Sequence, residues 1–179
     1  MLGQMDINKI NPDRFADMQI VSPHKKISRL VKPEDLPRVF EESEKIYKLL
    51  NTKIGMYKRF YAIAHPQVEA EDPLRFFVLN NKTLSFAGWP EIVVINQVIV
   101  RHTNLTTDSE EGCASFGTMP VITVQRWTKC EVEFTPLQFD KENNPVMGKR
   151  KTMNLSGKAA KVFQHETDHL NAKYIYGIK

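Results

Sequence analysis

The chain has 179 residues, 41% hydrophobic and 26% charged, with a formal charge of +4. That is enough for one domain with a real core, and the ordinary globular usage excludes a disordered or fibrous design. The longest apolar run, Ile92 to Ile95, is far below the roughly 18 residues of a membrane span, and Lys and Arg are interleaved with acids, so neither a membrane role nor specific nucleic-acid binding is expected.

Residues 1–20 read as a loose N-terminal arm and residues 21–179 as one catalytic domain. From 35 to 51, Leu36, Val39, Phe40, Ile46, Tyr47 and Leu50 recur at helical spacing, with Glu41, Glu42, Glu44 and Lys48 on the other side, which predicts an amphipathic surface helix. Short β-branched and aromatic runs then predict strands at 76–79, 92–100, 121–124 and 130–139. In the last of these Cys130, Val132 and Phe134 alternate with Glu131 and Glu133, so Cys130 is expected to face the core and do no chemistry. Pro145 to Gly148 reads as a turn, and the basic stretch Lys149 to Lys151 as a solvated turn between strands. Ser156 is placed as the N-cap of a helix carrying Ala159, Val162, Phe163, His165, His169 and Leu170. Strands followed by one buried helix give an α+β class, with antiparallel strands packed around that helix. The two cysteines, Cys113 and Cys130, are too few for a disulfide framework, and the N-terminus lacks a signal-peptide apolar region. A reducing interior is expected: cytoplasm, or a mitochondrial or plastid matrix if a presequence has been removed.

The second helix contains His165-Glu166-Thr167-Asp168-His169. Four residues turn about 400° and rise about 6 Å, which puts both imidazoles on one face where a single cation can bridge them, with Glu166 beside the first ligand. A catalytic site of this kind needs a third protein ligand and an open position. Residues 170–179 contain no His, Cys, Asp or Glu, so the third ligand comes from upstream. Cys113 stands out there, within Glu111-Gly112-Cys113, where a glycine lets the backbone turn close to a ligand site.

Glu111-Gly112-Cys113-Ala114-Ser115 resembles the E-G-C-L-S motif of peptide deformylases, and Gln164 to Ala172 (QHETDHLNA) resembles their Q-H-E-x-D-H-L-x-G. The resemblance implies a deformylase-like fold and a metal-dependent hydrolase that removes the N-formyl group from the initiator methionine of new polypeptides. It implies Cys113, His165 and His169 as metal ligands, Glu166 as general base on a metal-bound water, and Gln67 with the Ala114 N–H as donors to the formyl oxygen. Fe(II) is the implied metal, with zinc, nickel or cobalt also compatible with the ligands. The implied partners are N-formylmethionyl peptides of nascent chains, which leaves room for a transient ribosome contact. Asp168 is expected to be structural, orienting a histidine.

The family's first motif, G-x-G-L-A-A-x-Q, is met only in part by Phe60 to Gln67 (FYAIAHPQ), where Phe60 and Ala62 replace both glycines and His65 an alanine. If this stretch is extended with Gln67 toward the metal, Tyr61 and His65 share its face, so Tyr61 and Ala62 are candidate substrate contacts in a narrowed channel. Val162, one turn before His165 on the same helical side, is a candidate for the pocket that takes the substrate's methionine side chain, with core packing as the alternative. Two alternatives remain open at this point. One is a related metallo-amidase or peptidase acting on another acyl-peptide, and the other is a deformylase-derived peptide-binding protein with weak activity.

Overall fold

The computed structural model describes residues 25–51, 60–80, 92–116 and 120–176, and the arm expected over residues 1–20 lies outside them. Helix α1, Leu36–Asn51, is entered through a 3-10 turn at Pro33–Asp35 and buries Leu36, Val39, Ser43, Ile46 and Leu50, a stripe at three- and four-residue spacing. The strands described are β1 (Ala62–Ala64), β2 (Phe76–Leu79), β3 (Val93–His102), β4 (Thr106–Glu111), β5 (Ile122–Trp127), β6 (Lys129–Phe139), β7 (Pro145–Met147) and β8 (Lys151–Ser156), and helix α2, Gly157–Leu170, follows. Strands β1, β2, β3, β6 and β7 pair antiparallel in that order, with β8 also on β6, while β4 and β5 form a separate hairpin.

Strand β6 is the seam of the large sheet. Its residues 129–134 pair with β8 and 137–139 with β7, while its other edge runs along β3. Helix α1 packs on β2 and β7, and α2 on β1, β3, β5, β6 and β8. All four residues of β2 are buried, and for that reason it reads as an unbroken apolar run with no alternation. Phe163 of α2 meets Phe77 edge to face at 5.2 Å between ring centroids and Phe134 at 6.2 Å, which seats the helix on β2 and β6. Cys130 is buried as expected, and burial pushes its thiol up to about 11.

Three local expectations change. The reversal assigned to 145–148 lies earlier: Asp140 accepts the backbone N–H groups of Glu142 at 3.0 Å and Asn144 at 2.8 Å, and Asn143 takes φ 66°. Pro145 can then open β7, because that short strand pairs with β6 alone and a missing N–H costs it little. Ser156 does sit at the N-cap with extended backbone, yet its side chain makes no capping bond, and Gly157 at φ 55° turns the chain from β8 into the helix. Gly112 does not adopt left-handed backbone, and a Cβ there would meet Val121 at an ordinary 3.8 Å, so the fold itself does not demand glycine.

A β-bulge in β3 serves α2 directly. Between the pairs Ile95–Thr135 and Val98–Glu133, Asn96 and Gln97 together oppose the single residue Phe134. Asn96, at φ 54°, ties its side-chain amide to the Val31 N–H and C=O at 2.8 and 2.9 Å. Gln97 is thereby turned toward the helix, where its amide lies 2.7 Å from Thr167 Oγ1.

Because Phe163 joins three elements with no exposed surface, Phe163→Ala should cost about 3–5 kcal/mol in urea unfolding. An unfolding midpoint near that of the wild type would show that α2 is not held by this contact. In the native protein at pH 8, Cys130 should resist iodoacetamide, with peptide mass mapping as the readout, since its thiol stays protonated there.

Candidate metal centre

Three segments converge at α2. Strand β4 ends at Glu111 and delivers Cys113, with Ala114–Phe116 forming a 3-10 turn immediately after. Strand β1 ends in a second 3-10 turn, His65–Gln67. The helix supplies His165 and His169. The Cys113 Sγ and one ring nitrogen from each histidine all lie within 4.8 Å of one another, a Cys/His/His group able to hold a metal ion. Cys113 Sγ is 3.4 Å from His169 Nε2, and His169 Nε2 is 3.0 Å from His165 Nε2.

Orientation of His165 comes from a chain of charges behind it. Its Nδ1 lies 2.7 Å from Glu111 Oε2, so Nε2 faces the cluster. Arg126 of β5 grips both oxygens of Glu111, at 2.9 and 2.8 Å, and reaches Asp168 at 2.6 Å. Burial works against charge on Glu111, but Arg126 and His165 hold its carboxyl down to about 2. Burial likewise opposes a charged His165, yet Cys113 and Glu111 beside it, with Glu166 adding to the field, raise the imidazole to about 10. A cysteine sulfur with two imidazole nitrogens is a donor set that suits a divalent transition metal.

Glu166 is 3% exposed, and its Oε2 is buried with no hydrogen-bond partner among the described residues. Burial pushes its carboxyl up to about 7, with the His165 charge pulling the other way. Gln67 is 2% exposed and its amide is assigned by its contacts: Oε1 accepts the Ala64 N–H at 2.9 Å, which leaves Nε2 as a donor toward Ser115 Oγ at 3.2 Å and Cys113 Sγ at 3.8 Å. Ala114 is buried beside them. Ala62 lies within β1, three residues before the turn that carries Gln67.

Residues 20–177 match the family model for polypeptide deformylase. The chain belongs to the polypeptide deformylase family. Membership makes it a metal-dependent hydrolase of the deformylase kind, acting on N-formyl peptides. It is 28% identical over 164 residues to the peptide deformylase of Brachyspira hyodysenteriae, an alignment covering 88% of this chain and 73% of that protein. A Thermotoga sp. peptide deformylase is 33% identical over 113 residues, 63% of this chain and 58% of that one. The crystal structure of the Thermotoga maritima peptide deformylase superposes with a TM-score of 0.66 at 25% identity, covering 89% of this chain and 95% of that one. An inhibitor complex of Arabidopsis thaliana peptide deformylase 1B shares the fold at a TM-score of 0.69 and 21% identity, covering 89% and 80%.

The degenerate first motif is where the sequence reading needs correction. Residues 60–67 are not one extended face, because β1 gives way to the 3-10 turn at His65. His65 is fully buried and points into the core: Nδ1 accepts the Leu74 N–H at 2.8 Å, its ring stacks on Phe76 at 4.6 Å, and Nε2 donates to Glu42. Phe60 also packs against the core, so only Tyr61, 46% exposed, carries bulk to the outside. Val162 belongs to the hydrophobic cluster, which accounts for its burial by packing alone.

Glu111, Gln164 and Arg126 are functional positions that the sequence reading did not single out. Gln164 clamps α2 to β5, its Oε1 accepting the Trp127 N–H at 2.9 Å and its Nε2 donating to the Trp127 C=O at 3.0 Å. Glu111 and Gln164 are letters of the two motifs, so the signal was present. Arg126 sits in a strand pattern that gives no warning of it. Asp168 reaches His165 only through Arg126 and Glu111. We therefore expect Arg126→Ala to weaken metal retention about 10- to 100-fold and Asp168→Asn to weaken it less, read by competition with a chelator. Equal retention in all three proteins would dissociate this chain of charges from the cluster.

Proposed function

We propose that this chain removes the formyl group from the amino terminus of newly made polypeptides, with Cys113, His165 and His169 holding one divalent metal and Glu166 moving the proton. One observation carries this reading: the three ligand atoms lie within 4.8 Å of one another beside a buried carboxylate oxygen that has no partner among the described residues. Fe(II) is the proposed metal by family resemblance, and zinc, nickel or cobalt also suits the ligands. A reduced Cys113 belongs in a reducing interior, either cytoplasm or an organelle matrix, and nascent chains as substrate would bring the protein to the ribosome. No helix among the described residues is long and apolar enough to cross a membrane.

When bound, the metal supplies positive charge that acidifies a water and polarises the formyl carbonyl. Glu166 accepts a proton from the attacking water as the oxygen adds to the formyl carbon. The charge that gathers on the formyl oxygen is met by Gln67 Nε2, already aimed by the Ala64 bond, and by the Ala114 N–H. Glu166 then gives its proton to the amine nitrogen as the C–N bond breaks, releasing formate and a free amino terminus. Burial of Glu166, Gln67 and Ala114 keeps competing water away from these transfers.

Anaerobically loaded protein should release formate from formyl-Met-Ala-Ser. Glu166→Gln should keep its metal and lose about 100- to 10,000-fold in kcat, whereas Cys113→Ala should lose metal and activity together. Near-normal turnover by Glu166→Gln would assign the base elsewhere, and full metal content in Cys113→Ala would remove that residue from the site.

A further inference from the structure

Most of α2 is buried, and the part left accessible is informative. Beyond its N-terminal glycine and the half-buried Ala159, the positions that keep exposure are Lys158, Lys161, His165 and Asp168, at spacings of three, four and three. They form a single stripe along one side of the helix. Val162, on the same helix, is buried within the hydrophobic cluster. The charged side chains that α2 leaves accessible ahead of His165 are therefore two lysines.

Both lysines touch the walls on either side. Lys158 Nζ lies 4.8 Å over the ring of Tyr61, the exposed residue just before β1. Lys161 Nζ donates to the Asp108 backbone oxygen of β4 at 2.7 Å. Strand β1 leads on to Gln67, and β4 leads on to Glu111 and Cys113. The lysines thus span the gap between the two segments that deliver the rest of the cluster. The Asp108 carboxylate accepts a hydrogen bond from Gln125, and no ion pair joins it to Lys161 among the described residues. Along the helix axis Lys161 is about 6 Å and Lys158 about 10 Å from His165, within reach of the side chain of a residue whose acylated nitrogen sits at the cluster.

We infer that Lys158 and Lys161 make this site selective for N-formyl peptides whose formylated residue carries an anionic side chain, in preference to methionine. This inference rests on the proposed metal-dependent hydrolysis of a formyl group at this site and departs from that reading in the residue that bears the formyl group. An apolar thioether placed against two ammonium groups would desolvate them without offering an acceptor, while a carboxylate gives each a charge-assisted bond. Tyr61 supplies an aromatic face that holds Lys158 in position and covers the stem of the substrate side chain.

The test compares formyl-Glu-Ala-Ser with formyl-Met-Ala-Ser on the metal-loaded protein, with metal content measured in every sample. Wild type should show kcat/KM about 10-fold or more higher for the glutamyl peptide, about one charge-assisted hydrogen bond. Raising salt from 50 to 500 mM should shrink that ratio, since these charges are solvent-exposed. Lys158→Leu/Lys161→Ile should invert the preference at unchanged metal content, and as both residues lie on the surface the fold should tolerate the change. Hydrolysis of both peptides with methionine preferred, and a ratio insensitive to salt and to the double variant, would overturn the inference and leave the deformylase reading standing. Failure to hydrolyse either peptide at full metal content would overturn both.

Discussion

One buried positive charge organises this molecule. Arg126 has 9% of its side chain exposed and stands between Glu111 and Asp168, so it joins β4, β5 and α2 through ion pairs that no solvent screens well. A buried pair of this kind adds little net stability, because the desolvation of its charges offsets most of their attraction. Its effect is on geometry. Glu111 cannot move without stranding Arg126, and His165 cannot rotate without leaving Glu111, so the imidazole nitrogen that faces Cys113 is held by three elements at once. The same arrangement explains why the helix can be both core and site. Phe163 and Val162 anchor one side in hydrocarbon, and each polar residue on the next side finds a strand: Gln164 on β5, Thr167 on the β3 bulge, Asp168 on Arg126.

How much of this was legible in the sequence depended on whether the signal was local. The periodicity of α1, the continuous run of β2 and the alternation of Cys130, Val132 and Phe134 all follow from burial of a regular element, and the structure contains them with boundaries shifted by a residue or two. The H-E-x-x-H spacing needed only helical geometry, and the lack of a further ligand-capable residue after His169 pointed upstream, where Glu111-Gly112-Cys113 and its likeness to the family motif marked Cys113. What could not be read was anything set by a tertiary partner. Arg126 looks like one more polar residue on a half-exposed strand until Glu111 and Asp168 are folded against it. The bulge at Asn96 and Gln97 has no signature of its own. The turn at 140–144 was misplaced because Pro145 and Gly148 are louder punctuation than the Asp140 side chain that makes it.

The altered first motif shows the same division. His65, where the family has a small residue, reads in the sequence as bulk in a channel, because a strand alternates and the resemblance gives Gln67 a place at the metal. The backbone instead winds into a 3-10 turn, closed by Gln67 folding back on Ala64, and the added ring faces inward. A buried imidazole then needs both nitrogens satisfied. Leu74 donates to Nδ1, which places the ring proton on Nε2, and Glu42 of α1 accepts it. Burial opposes the charge on Glu42, but His65 and Arg38 hold its carboxyl below the ordinary value. Its contribution to stability is therefore present above the usual carboxylate range and fades as pH falls through the lowered value. The substitution thus ties the turn that carries Gln67 to α1.

These two halves bear on how such a site can change. Residues that hold the ligands face strands and are each bound to a partner on another element, so altering one leaves a buried group stranded and costs the fold as well as the chemistry. Lys158 and Lys161, at the N-terminal end of the accessible stripe of α2, have no such obligation. Among the described residues they touch an exposed ring and a backbone oxygen, contacts that many side chains can replace at small cost. If the two lysines set substrate preference as inferred above, that preference can change at Lys158 and Lys161 while Cys113, His165, Glu166 and His169 stay fixed.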